Sequence, residues 1–152
     1  MIENLGNIGD FIGGVGVVVT LIYLATQIRQ NTRSLRLASI QQIMGTSVSV
    51  NETSSTGPVP AILAKLEMDK QLTPDEFAQF IIHTYAMLTH QWQVFYQFKN
   101  DMIDDSVFNA YVARLKVIMS TSLSRSLWQS RMKNSFPDDF QAFVSAHVEV
   151  DD

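Results

Sequence analysis

The stretch LGNIGDFIGGVGVVVTLIYLATQI, residues 5–28, decides the architecture, because it belongs either in a lipid bilayer or in the core of a soluble bundle. As a helix, residues 8–28 extend about 31 Å, which matches the hydrocarbon thickness of a bilayer. Residues 11–25 carry no charged side chain. We interpret the segment as a transmembrane helix, and a buried helix of a soluble bundle is the alternative.

Small residues recur along one face of this helix. Gly9, Gly13, Gly16 and Thr20 are spaced by four, three and four positions, so they share a face. In a soluble helix each glycine costs about 1 kcal/mol relative to alanine, whereas in a membrane small residues let two helix backbones approach closely. The pattern predicts a helix–helix interface with a second copy or with a helix of a larger membrane complex. Glycine tolerated in a buried soluble helix is the alternative.

The charges that flank the segment predict its orientation. Residues 1–10 contain no Lys or Arg, whereas Arg29, Arg33 and Arg36 come after the segment. Because cytoplasmic flanks are enriched in Lys and Arg, the N-terminus is predicted outside and the remainder in the cytoplasm. The same asymmetry disfavours a cleaved signal peptide. The three arginines are predicted to contact lipid headgroups, each contributing about 1 kcal/mol with anionic lipid, and a solvated helix face is a compatible alternative.

Length and composition constrain the part of the chain beyond the anchor. In a chain of 152 residues, residues 1–30 are predicted to form the transmembrane anchor and residues 31–152 one helical domain. The net charge of −4 disfavours nucleic-acid binding, and the lack of cysteine excludes disulfides and thiolate metal sites. No stretch alternates apolar and polar residues, so the predicted fold is all-α: one N-terminal transmembrane helix and then a small helical bundle.

The bundle is predicted from a break and several helix starts. Residues 49–60, SVNETSSTGPVP, are predicted to form a linker loop. Thr73-Pro74-Asp75-Glu76 predicts a capped start for a central helix that continues to about Lys99. Trp92 lies on the broad apolar face of that helix and is expected to be substantially buried. Two further helices are expected to begin at Asp104-Asp105 and within residues 136–139, FPDD.

The sequence contains few candidates for chemistry. His83 and His90 are seven positions apart, about 10 Å along a helix, which is too far for one metal ion. We interpret them as partly buried histidines bonded to neighbouring helices. Arg125, Trp128 and Arg131 share a helix surface and suit a cation–π stack, an anion site or packing against Phe136 and Phe140. No nucleophile elbow or phosphate-binding loop occurs. We therefore predict no catalytic, cofactor-binding or metal-binding residue, and no enzyme activity.

Two functions remain from different classes. The first is an interaction or accessory subunit of a membrane assembly. The second is a small-molecule or lipid sensor with a pocket in the helical domain, lined by aromatic side chains: Phe80, Tyr85, Trp92, Tyr96 and Tyr111. An apolar ligand between these rings would favour the sensor.

The chain resembles a family of small, uncharacterised bacterial proteins. That family has an N-terminal hydrophobic helix ending in a LIYLA-x-QIRQNT signature, present here at residues 21–32. Its members also share a Met-Ile-Asp-Asp-like turn, here residues 102–105, and a tail containing Trp128, Arg131, Phe136 and Phe140. The resemblance covers nearly the whole chain and supports the layout of an N-terminal hydrophobic helix and a helical C-terminal region. From the apolar segment and its arginine flank we predict a location in the bacterial inner membrane. The resemblance implies no catalytic residue, substrate or cofactor.

Overall fold

The computed structural model describes residues 2–148, with side chains from residue 12 onward, and this part of the chain contains six α-helices and no strand. Its first helix is long and apolar enough to span a membrane, and a helical region comes after it. The predicted all-α fold is therefore confirmed. The chain divides into two compact units, Met1–Ala38 and Ser39–Asp152.

The helices are joined by short connections. Their bounds are α1, Ile2–Ser55; α2, Val59–Glu67; α3, Pro74–Lys99; α4, Asp105–Ile118; α5, Ser122–Leu127; and α6, Asp138–His147. Between α5 and α6 the backbone forms a π-helical turn, Trp128–Met132, and a 3₁₀ turn, Lys133–Ser135. The starts predicted for α3, α4 and α6 agree with these bounds.

The predicted linker loop at residues 49–60 is wrong, because α1 continues to Ser55 and α2 begins at Val59. The hydroxyl groups in this stretch bond to carbonyls one turn earlier in the same helix. Thr53 donates to the Ser49 carbonyl at 3.0 Å, and Ser54 donates to the Val50 carbonyl at 2.6 Å. These bonds satisfy the hydroxyl groups within the helix, and only residues 56–58 form the connection.

Side-chain caps define the starts of α3 and α4. The Thr73 hydroxyl accepts a bond from the Glu76 amide at 3.3 Å, while the Glu76 carboxylate accepts the Thr73 amide at 2.9 Å. Asp104 accepts the Val107 amide at 2.9 Å. The Lys65 ammonium pairs with Glu76 at 2.6 Å, which joins α2 to the start of α3. The predicted capping box is therefore confirmed.

The core of the Ser39–Asp152 unit is centred on Trp128, which is 1% exposed. Its ring lies 5.6 Å from that of Phe136 and 6.3 Å from that of Phe140, so the packing interpretation of Trp128 is confirmed. Trp92, expected to be substantially buried, is only partly buried and packs against this cluster through Phe136, with ring centroids 6.2 Å apart. The larger contribution to the core therefore comes from Trp128.

A second core cluster brings the end of α1 against α3 and α4. Its buried members are Ile43, Val94, Ile103 and Phe108. Within the Ser39–Asp152 unit, Ile43 and Ser47 are the buried positions of α1, whereas Met44 and Val48 are exposed. The buried face of this part of α1 therefore contains Ile43 and Ser47, and it is offset by one residue from the face that contains Met44 and Val48.

Candidate functional site

The apolar part of α1 has its side chains exposed. Within the described residues, α1 is the one helix that is long and apolar enough to cross a membrane, and no residue of its most apolar 18-residue window is buried. Large exposed side chains cover it: Ile12, Val15, Val17, Val18, Val19, Leu21, Ile22, Tyr23, Leu24 and Ile28. The apolar side chains of this segment are therefore not packed into a hydrophobic core within the described part of this chain.

The polar side chains of this segment form hydrogen bonds inside the helix. Thr20 donates to the Gly16 carbonyl at 2.8 Å, and Thr26 donates to the Ile22 carbonyl at 2.8 Å. The Gln27 amide donates to the Tyr23 hydroxyl at 2.7 Å. Because an unpaired polar group is costly in an apolar medium, these bonds make the segment compatible with lipid.

The face predicted as a helix–helix interface is open at Gly13 and Gly16. A Cβ atom added at either residue meets no heavy atom within 4 Å. Gly9 belongs to the first eleven residues, whose side chains and surroundings lie outside the described part of the chain. A larger side chain at residue 13 or 16 would therefore not clash with the described residues.

The predicted headgroup arginines lie together. Arg29, Arg33 and Arg36 line a shallow cavity of about 280 Å³ with Ile28 and Thr32. Neither of the two ion pairs found among the described residues includes any of these arginines. The structure thus groups the three charges next to the apolar segment, and their contact with lipid stays a prediction.

The five aromatic residues predicted to line one pocket are not brought together. Phe80 is buried in the core of the bundle, and Tyr96 is 62% exposed. Tyr85 and Trp92 both contact Phe136, whereas Tyr111 packs against His90 with ring centroids 5.6 Å apart. At about 100° per residue, Phe80 faces about 140° away from Tyr85 on α3. Of the five, only Phe80 lines either of the two larger cavities described below.

A polar cluster that the sequence did not reveal joins three helices. Ser47 of α1 lies with its Oγ 2.8 Å from His90 Nε2 of α3 and 2.6 Å from the Tyr111 hydroxyl of α4. Ser47 is 9% exposed and His90 is 4% exposed. The interpretation of His90 as a buried histidine bonded to a neighbouring helix is confirmed. Ser47 could have been found only from its spacing of four from Ile43 on the inward face.

Burial lowers the pKa of His90, and the positive charge of Arg114 lowers it further, while a hydrogen bond that the imidazole donates to the Gln93 side chain raises it. Burial also lowers the pKa of His83. Both imidazoles are therefore neutral at pH 7 in the folded protein.

We expect the free energy of unfolding to fall as the pH drops below about 6.5, the ordinary histidine pKa. Above that pH both states hold His90 neutral. Below it the unfolded state binds the proton first, because the folded pKa is lower, so acidification favours unfolding. Urea titrations between about pH 5 and 7.5 measure this slope. His90→Gln should show a shallower slope, with His83 still contributing in the same direction. An unchanged slope in His90→Gln would contradict the prediction.

Arg125, Trp128 and Arg131, which the sequence places on one helix surface, make separate contacts in the structure. Arg125 donates to the carbonyls of Met119 and Ser120 at 3.1 and 3.0 Å, just after the end of α4. The Arg131 guanidinium lies 5.8 Å from the Phe77 ring centroid, a cation–π contact. With Trp128 in the core, the three residues do not form one anion site.

Two larger cavities lie in the Ser39–Asp152 unit, and His83 lines both. The first, about 500 Å³, lies among the end of α1, the start of α2 and α3; its lining is Ser49, Val50, Thr53, Thr56, Gly57, Pro58, Val59, Gln79, Ile82, His83 and Ala86. The second, about 370 Å³, lies among α2, α3 and α4; its lining is Leu63, Glu67, Phe80, His83, Thr84, Met87, Arg114, Val117, Ile118, Ser120, Thr121 and Ser124. These two cavities are the larger described openings in the bundle, and their linings differ from the aromatic residues predicted to form a pocket.

No protein-family model, curated protein or solved structure matches this chain. The resemblance carried by residues 21–32, residues 102–105 and the Trp128 tail therefore stays a prediction. In the structure the first of these motifs lies in α1, the second precedes α4, and Trp128 lies in the core.

Proposed function

We propose that this chain is a single-span, membrane-anchored helical protein that acts as an interaction or accessory subunit of a membrane assembly. The observation that carries the proposal is the exposed apolar surface of residues 12–28, whose hydroxyl and amide groups are bonded within the helix. Water disfavours such a surface, whereas lipid or an apolar partner accommodates it.

The proposed location is the bacterial inner membrane, with the N-terminus outside and the helical domain in the cytoplasm. The positive charges support this orientation, because Arg29, Arg33 and Arg36 all come after the apolar segment. Their shared cavity would place them against anionic headgroups on the cytoplasmic side. Membrane lipid is therefore the first proposed partner.

The second proposed partner is another transmembrane helix. The open surface at Gly13 and Gly16 supports it, because a helix backbone can approach where no side chain projects. Thr20 extends the same face, and its hydroxyl is already bonded to the Gly16 carbonyl. Association would then depend on close packing, which a single bulky side chain disrupts.

We expect Gly13→Ile to abolish association while insertion into the membrane survives. Isoleucine fills the shallow face and raises the hydrophobicity of the segment, and it meets no heavy atom within the described part of this chain. Crosslinking in native membranes compares the variant with wild type.

Gly14→Ile is the matched control. Gly14 is equally open but lies about 100° from Gly13 around the helix, away from the small-residue face. This variant should keep the wild-type crosslinking pattern. An unchanged pattern in Gly13→Ile, or an equal loss in both variants, would show that the face is not an interface.

A further inference from the structure

The 370 Å³ cavity between α2, α3 and α4 is lined by a threonine whose hydroxyl has no partner among the described residues. Thr84 is 2% exposed and lines this cavity, and its hydroxyl forms no hydrogen bond with the described residues. A helical threonine commonly bonds to the carbonyl four residues earlier, as Thr89 does to Tyr85 at 2.9 Å. The Thr84 hydroxyl is therefore available to a molecule in the cavity.

Arg114 brings a positive charge to the same cavity. Its guanidinium donates to the neutral Asn51 side chain, and no ion pair joins it to an acid among the described residues. Glu67 also lines the cavity but is exposed on α2. The guanidinium thus keeps donors and an unneutralised charge for a carboxylate.

His83 is a third polar residue of the cavity lining. It is half-buried, its imidazole bonds to none of the described side chains, and burial lowers its pKa, so it is neutral at pH 7. A neutral imidazole offers one N–H donor. The apolar residues of the lining include Leu63, Met87 and Val117.

We propose that this cavity binds a small monocarboxylate with an apolar body. The carboxylate accepts hydrogen bonds from Arg114, Thr84 and His83, and the apolar body contacts the walls that Leu63 and Met87 provide. One guanidinium with two neutral donors suits a single negative charge, and the exposed carboxylate of Glu67 disfavours a multiply charged ligand. This binding activity does not rest on the proposed membrane function.

Hexanoate is the probe, titrated into the full chain in nanodiscs of zwitterionic phosphatidylcholine and followed by calorimetry and by NMR of the His83 ring. Saturable binding is expected, and the pKa of His83 should rise when the carboxylate lies beside it. Hexanamide, which has the same body without the charge, should bind at least about tenfold more weakly.

Two variants and one control test the named residues. Arg114→Met should weaken hexanoate binding at least about tenfold, and Thr84→Val, nearly isosteric, about three- to tenfold. Lys116→Met removes a charge from the same helix, where Lys116 does not line this cavity, and should leave the affinity unchanged. Circular dichroism checks that each variant is folded.

Three results would overturn the proposal. The first is that Thr84→Val and Arg114→Met bind hexanoate with the same affinity as the control variant Lys116→Met. The second is equal affinity for hexanoate and hexanamide, which would remove the role of the charge. The third is equal affinity for inorganic phosphate, which would remove the role of the apolar walls.

Discussion

Replacing Trp128 with alanine is expected to lower the free energy of unfolding by about 3–5 kcal/mol. The side chain is 1% exposed and packs against Phe136 and Phe140, so its removal leaves a cavity at the centre of the core. Its indole N–H is buried without a partner among the described residues, so no hydrogen bond is lost with the ring. Urea titration of the full chain in mild detergent, followed by circular dichroism, measures the change.

Trp92→Ala is the matched control, since it removes the same side chain from a partly buried position on α3. We expect Trp92→Ala to lower the free energy of unfolding by at least about 1 kcal/mol less than Trp128→Ala does. The reason is that Trp92 buries less apolar area on folding than Trp128. An equal or larger cost for Trp92→Ala would show that Trp128 is not the centre of the core.

Val18→Arg is expected to release the chain from the membrane. Val18 lies within the exposed apolar segment, and an arginine at the centre of a span costs about 2.5–3.5 kcal/mol of insertion free energy. That cost corresponds to a shift of about 100-fold in the insertion equilibrium. Wild type should resist carbonate extraction, whereas the variant should be extracted.

Met44→Arg provides the control, because Met44 is exposed on the same helix beyond the apolar segment and should tolerate the charge. Deletion of residues 1–30 should leave a soluble helical domain. Two results would show that the predicted membrane anchor is wrong. One is a full-length chain that stays in the soluble fraction without detergent, and the other is a Val18→Arg variant that stays in the membrane after carbonate extraction as Met44→Arg does.

Local signals predicted the helix starts because each depends on residues close in sequence. Thr73 and Glu76 bond across three positions, and Asp104 bonds to Val107, so no distant partner is needed. The exception is the predicted loop at residues 49–60. There serine and threonine, which also favour turns, bond to carbonyls of the preceding turn, and α1 continues to Ser55.

The candidate sites were less predictable because they depend on residues far apart in sequence. Ser47 meets His90 and Tyr111 across separations of 43 and 64 residues, and nothing near Ser47 marks that contact. The aromatic residues of α3 suggested one pocket, but the neighbouring helices bury Phe80 and leave Tyr96 exposed. Which face of a broadly apolar helix is covered depends on the elements that pack against it.

By itself the sequence determined the all-α class, the capped helices and the apolar segment of residues 8–28, because periodicity, caps and hydropathy act locally. Only the tertiary structure decided that Trp128 and not Trp92 is the central core residue. It also decided that Arg114, Thr84 and His83 share one cavity. Those outcomes depend on how α2, α3 and α4 pack, and close packing selects among many apolar faces that the sequence leaves equivalent.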